Sequence, residues 1–158
     1  MARERSKKTT ALESALASLS RRPLAEAELR RKLLQKGFSE EEVSDAVVRC
    51  RGYGYVNDSE LVSRYAFALA REKKLGAWAV ARKLETRGFS KDLVERAVTE
   101  LECSQDIPSE QERAAALASK KFRGGEKLPE NREKLVRFLR AKGFDWEVIR
   151  SVFSTSLE

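Results

Sequence analysis

The apolar positions of this chain recur at helical intervals and almost never alternate. Leu12, Leu16 and Leu19 stand at i, i+4 and i+7, and Leu61, Tyr65 and Leu69 at i, i+4 and i+8. Ala114, Leu117, Ala118 and Phe122 form a third such stripe. Shorter sets, Val43 with Val47, Val94 with Val98 and Leu101, and Ile149 with Phe153, mark further helices. Between the two kinds of set lies one segment written three times: KLLQKGFSEEEV at 32–43, KLETRGFSKDLV at 83–94 and FLRAKGFDWEVI at 138–149. A recurrence of about 50 residues implies one supersecondary unit used repeatedly. The pattern predicts an all-α protein of three tandem three-helix repeat units, 11–52, 53–106 and 107–158, with a basic N-terminal arm at 1–10.

Capping rules explain most of the repeated segment. A glycine just past a helix end takes a left-handed backbone at little cost, and the residue after it then packs back on a residue one turn inside the helix. Placing Gly37, Gly88 and Gly143 there pairs Leu33 with Phe38, Leu84 with Phe89 and Leu139 with Phe144. The next residues, Ser39, Ser90 and Asp145, become N-caps, each preceded by phenylalanine and followed four residues on by Val43, Val94 or Ile149, a hydrophobic staple. Ser39 with Glu42 adds a capping box. Each phenylalanine is thus expected in the core, closing one helix and opening the next.

One position escapes this account. Arg31, Arg82 and Arg137 each stand six residues before a corner glycine and about 200° around the helix from the buried leucine. They are expected to be exposed. Lys36, Arg87 and Lys142, just before the glycines, are accounted for by the negative end of the helix dipole, but the earlier arginines lie too deep for that effect. They read either as a solvated face or as contacts to phosphates or carboxylates of a partner, presented at a repeated angle.

Charge and composition narrow the function. The net charge is +7, with 32 basic and 25 acidic residues interspersed, and the excess lies in the two outer units. A polyanionic partner is suggested. No histidine is present, which removes Ser-His-Asp, Cys-His and HExxH chemistry. Gly124 and Gly125 do not form a phosphate loop, and Cys50 and Cys103 read as isolated buried thiols. No enzyme, metal site or cofactor is expected. The charged opening and the absence of a long apolar run predict a cytoplasmic protein with no membrane partner, expected to be a monomer. Repeated helix-turn-helix corners also suggest an autonomous DNA reader, or a helical scaffold for another protein. The first reading meets acidic first turns, Glu40–Glu41–Glu42 above all, where base contacts would fall.

The stretches ALESALASLSRRPLAEAELRRKLLQKGF, GYGYVNDSELVSRYA and REKLVRFLRAKGFDWEVIRSVF together resemble the regulatory protein RecX family, over about residues 10–153. The resemblance implies an elongated, curved, all-α array of three three-helix units. It further implies a bacterial protein that binds the RecA recombinase filament on DNA and suppresses its strand exchange, ATP hydrolysis and co-protease activity. Arg31, Arg82 and Arg137 are then candidate contacts to the filament or its nucleic acid, with Lys32, Lys83, Arg64 and Arg71 beside them. Where similar proteins often carry a basic, proline-containing segment, this chain has Gly76-Ala77-Trp78-Ala79. Trp78 therefore reads as ordinary core or, alternatively, as an apolar contact of the middle unit.

Overall fold

The computed structural model describes residues 9–121 and 132–155. Most of the basic arm, Phe122, Gly124 and Gly125 lie outside the described residues. Within them the order is α1 (Ala11–Leu19), α2 (Glu26–Gln35), α3 (Glu40–Gly52), α4 (Asp58–Lys73), α5 (Ala77–Arg87), α6 (Lys91–Cys103), α7 (Glu110–Lys121), α8 (Arg132–Ala141) and α9 (Trp146–Thr155), with no strand among the described residues. The fold is an all-α repeat. Two compact units are distinguishable, one of residues up to Leu61 with Arg87–Phe89, the other of Val62–Thr86 with the chain from Ser90 onward.

In the first unit α1 packs on α2 and α3. The face it buries is Ala11, Ser14, Ala15 and Ser18, whereas Leu16 is 36% exposed and Leu12 and Leu19 are half-buried. Of the leucine stripe, Leu12 and Leu19 pack at the edge of the core and only Leu16 faces outward. Small residues let helix axes approach closely, and close packing outweighs side-chain hydrophobicity here. The two serines are satisfied: Ser18 Oγ donates to the Ser14 carbonyl at 2.9 Å, and Lys36 Nζ donates to Ser14 Oγ at 2.6 Å. In α4 Leu61 of the expected stripe is buried, but Tyr65 and Leu69 are half-buried and the inner face continues through Val62, Ala66 and Ala70. In α7, Ala114 and Ala118 are buried with Leu117 packed beside them. Cys50 lies in the first core, where burial pushes its thiol pKa up, but Cys103 is exposed at the end of α6, which corrects the expectation of two buried thiols.

The corners are left-handed helix stops, and the first and third carry the Schellman pair of hydrogen bonds. Gly37, Gly88 and Gly143 take φ of 90°, 97° and 88°. Phe38 N–H donates to the Leu33 carbonyl at 3.4 Å and Gly37 N–H to that of Leu34 at 2.9 Å; Phe144 and Gly143 bond Leu139 and Arg140 in the same way at 3.2 and 3.0 Å. Leu33, Leu84 and Leu139 are fully buried. Ser39 Oγ accepts from Glu42 N–H, Ser90 Oγ from Leu93 N–H, and Asp145 Oδ1 from Val148 N–H. Phe89 and Phe144 are 4% and 3% exposed, but Phe38 is only half-buried at the edge of its cluster. A fourth such stop, absent from the sequence reading, ends α3: Gly54 has φ 77°, and Tyr55 N–H donates to the Cys50 carbonyl at 3.0 Å.

The later corners also touch the repeat before them. A Cβ on Gly88 would lie 2.6 Å from the Cβ of Ala27, in the first turn of α2. A Cβ on Gly143 would lie 2.2 Å from that of Ala79, in the first turn of α5, and Gly76 N–H donates to the Lys142 carbonyl at 3.0 Å. At Gly37, in the first of the three corners, a Cβ would meet nothing within 4 Å.

Those helix starts are capped from far along the chain. The N-cap of α2 is Ala25, whose side chain has no acceptor, and Asp58 Oδ1 accepts the Glu26 N–H at 2.9 Å from 32 residues away. Gly76 precedes α5, and Glu110 Oε1 accepts the Ala77 N–H at 2.8 Å from 33 residues away. Asp58 and Glu110 each open the first helix of the following repeat. Burial pushes both carboxyl pKa values up, against the pull of these hydrogen bonds. Arg113, itself buried, braces the second site by donating to the carbonyls of Leu75 and Pro108 at 3.2 and 2.6 Å. Glu26 behaves oppositely: burial raises its pKa, but hydrogen bonds and charges from Arg51 and Arg30 carry it below the ordinary value.

Replacing these groups has graded consequences. In urea unfolding, Phe89→Ala and Phe144→Ala are expected to cost about 3–5 kcal/mol each and Phe38→Ala clearly less. Gly37→Ala adds only left-handed strain of about 1–2 kcal/mol, while Gly143→Ala adds a steric clash and must cost more; equal losses would refute the seating of the third corner. Asp58→Ala and Glu110→Ala are expected to cost about 1–2 kcal/mol each, with Asp58→Asn and Glu110→Gln retaining most of the cap. The stability supplied by Glu26 is present above its unfolded pKa and lost as pH falls through its lower folded pKa. The melting difference between wild type and Glu26→Gln should therefore close on acidification. Asp58 and Glu110, with raised pKa values, contribute the opposite slope, losing stability as pH rises through their folded values.

Candidate functional site

The repeated register fixes where the candidate arginines point. On α2, Leu29 and Leu33 are buried and Arg31 stands exposed midway between them; on α5, Val80 and Leu84 flank exposed Arg82; on α8, Leu135 and Leu139 flank exposed Arg137. Two residues from a buried neighbour on either side is about 200° of helix, the outward face. Lys32 is half-buried, while Lys83 on α5 and Arg64 and Arg71 on α4 are exposed. Arg31 and Lys32 belong to the first compact unit; Arg64, Arg71, Arg82, Lys83 and Arg137 belong to the second.

Pairing separates these cations from other arginines nearby. Arg22 pairs with Glu28, Arg30 and Arg51 with Glu26, and Arg49 with Asp45. Among the described residues no ion pair holds Arg31, Arg82 or Arg137. Arg82 instead lays its guanidinium over the Trp78 ring, 5.2 Å from the centroid. On α8 the Phe138 ring is faced by Lys121 and Lys142 at 4.1 and 5.7 Å.

Exposed aromatic side chains are the features that sequence reasoning missed. Trp78 is 59% exposed and Trp146 is 50% exposed, which corrects the reading of Trp78 as core. Each lies in a helical first turn with an arginine four residues on; Arg150 sits 5.9 Å from the Trp146 centroid. The Trp-x-x-x-Arg spacing was the available signal, since i and i+4 share a helix face. Tyr53 and Tyr55, both exposed, stand with ring centroids 5.9 Å apart around Gly54. The rest of the GYVND junction is structural: Val56 enters the first core, Asn57 Oδ1 accepts from Glu60 N–H, and Asp58 caps α2.

No group of three or more His, Cys, Asp or Glu able to hold a metal occurs among the described residues, and none of their helices is long and apolar enough to cross a membrane. The first turn of α3, where a DNA reader would touch bases, carries Glu40, Glu41 and Glu42, all exposed.

Comparison with known proteins points in one direction. A family model described as RecX, first three-helix domain, matches residues 11–50, and one described as RecX, third three-helix domain, matches residues 109–153. The Regulatory protein RecX of Chlorobaculum tepidum is 32% identical over 145 residues, covering 91% of this chain and 86% of that protein. That of Vibrio vulnificus is 34% identical over 147 residues, covering 90% of each. The crystal structure of RecX from Lactobacillus salivarius has the same fold, with a TM-score of 0.77 at 18% identity over 92% of this chain and 93% of that one. Matched at both ends by the family's own three-helix domains and along nine-tenths of its length by its regulatory proteins, the chain belongs to the RecX family.

Proposed function

We propose that the protein is a regulatory binding protein that associates with the RecA recombinase filament on DNA and inhibits its recombinase, ATPase and co-protease activities in the bacterial cytoplasm, thereby modulating DNA repair and recombination. It works by occupying surface, without chemistry of its own. The observation that carries this reading is the set of equivalent arginines, Arg31, Arg82 and Arg137, each exposed at the same register and each without an ion pair among the described residues. By contrast, Arg22, Arg30 and Arg51 are paired with carboxylates, and the buried Arg113 is spent on backbone carbonyls. Those left unpaired retain their forked donors for phosphates of the coated strand or carboxylates of the recombinase. Lys32 in the first compact unit, and Lys83, Arg64 and Arg71 in the second, are further candidate contacts.

The reading is tested with single-stranded DNA, duplex DNA and a recombinase-coated strand at physiological salt. Tightest binding is expected to the coated strand; preference for naked duplex would sink the proposal. Arg31→Ala, Arg82→Ala and Arg137→Ala are expected to leave helicity and melting nearly unchanged, because exposed unpaired cations contribute little to stability. Each should weaken inhibition of filament ATP hydrolysis by about tenfold, as truncating a contact worth about 1.4 kcal/mol does.

A further inference from the structure

A cleft opens in the second compact unit between the first turn of α5 and the corner that precedes α9. Its volume is about 320 Å³ and it is lined by Trp78, Arg140, Gly143, Phe144 and Asp145. The walls are fixed. Gly143 carries left-handed φ and abuts Ala79, and Gly76 is tied to the Lys142 carbonyl at 3.0 Å. Asp145 is held by its cap bond to Val148 N–H at 2.9 Å. The indole of Trp78 is pinned on one face by the Arg82 guanidinium. Such a preformed apolar recess takes a side chain without the ordering cost that a mobile surface imposes.

We infer that this cleft is an anchor site for one apolar or aromatic side chain carried on an acidic segment of a partner protein. Indole and phenyl surfaces on a rigid wall are the chemistry of interface hot spots. Arg140 is exposed and without an ion pair among the described residues, and Arg82 and Lys83 are exposed on the adjoining helix. These cations favour acidic residues beside the anchor. A nucleic-acid strand fits less well, since the recess is largely apolar and its depth offers little to a phosphate backbone. The inference rests on the filament reading only for which protein supplies the segment in the cell.

The test keeps the two apart. In Trp146→Phe protein, Trp78 is the sole indole, and its fluorescence reports the cleft. The probes are an acetylated peptide of one phenylalanine flanked by aspartates, the same peptide with glycine for phenylalanine, and an oligothymidine strand. A saturable change is expected with the phenylalanine peptide alone, weakened about tenfold or more by Arg140→Glu. No saturable change, or an equal change with the glycine peptide, would overturn the inference; saturation by oligothymidine alone would overturn it in favour of nucleic acid. In parallel, Trp78→Ala should weaken binding of the full chain to recombinase-coated DNA by about tenfold, with Trp78→Phe restoring most of it and melting unchanged. Peptide binding without binding of the unsubstituted chain to the coated strand would support the anchor site and sink the filament reading. Coated-strand binding unaffected by Trp78→Ala would do the reverse.

Discussion

A glycine that must be left-handed and must also lack a side chain governs the junctions of this fold. At Gly143 both demands meet: φ is 88°, and the space where a Cβ would stand is filled by Ala79. The contact reaches back to Gly76, whose own missing side chain makes room for the Gly143 carbonyl. A helix start so closely covered has no place for a serine or aspartate cap. Its free N–H must still be satisfied, because an orphaned buried donor costs about 1–3 kcal/mol. The carboxylate therefore arrives from Glu110, at the head of the next repeat. Ala25, Asp58 and the approach of Gly88 to Ala27 repeat the logic one unit earlier. Close approach and remote cap are two consequences of one constraint.

The parts of this arrangement visible in the sequence are those decided within a few residues. A Schellman stop and an N-cap involve positions no more than five apart, so Leu33, Gly37, Phe38 and Ser39 announce their geometry directly. Burial of α1 is decided by how near another helix comes, and there alanine and serine take the innermost places while Leu16 is left exposed. Hydrophobicity alone misjudges that choice. The caps by Asp58 and Glu110 span more than thirty residues and connect side chains to backbone, which leaves no periodic trace. GYVND stood out as a family signature, and three-dimensional packing reveals why: its glycine, valine, asparagine and aspartate each have a structural partner.

The charges divide along similar lines. Glu26 is shared between Arg30 and Arg51, tying α2 to α3, and its lowered pKa marks a carboxylate whose ionised form is favoured. Asp58 and Glu110 have raised pKa values because burial outweighs the single backbone bond each accepts. The fold thus contains carboxylates of opposite pH response.

What remains for recognition is the surface that this internal pairing does not consume. The 36% charged composition could have satisfied itself by random surface pairing, each pair contributing little. Instead, Arg30 turns toward Glu26 while Arg31, one residue on and about 100° around the same helix, meets no carboxylate among the described residues. The same asymmetry holds at Arg82, where the guanidinium rests on an indole, a contact that fixes its position without neutralising its charge. A cation kept charged and positioned by an apolar surface is pre-organised for an anion that the chain itself does not supply. Corners that set the helix rotation therefore also set the direction of the arginine six residues earlier, so under the proposed function rigidity at Gly88 and Gly143 serves the presentation of Arg82 and Arg137 as well as folding.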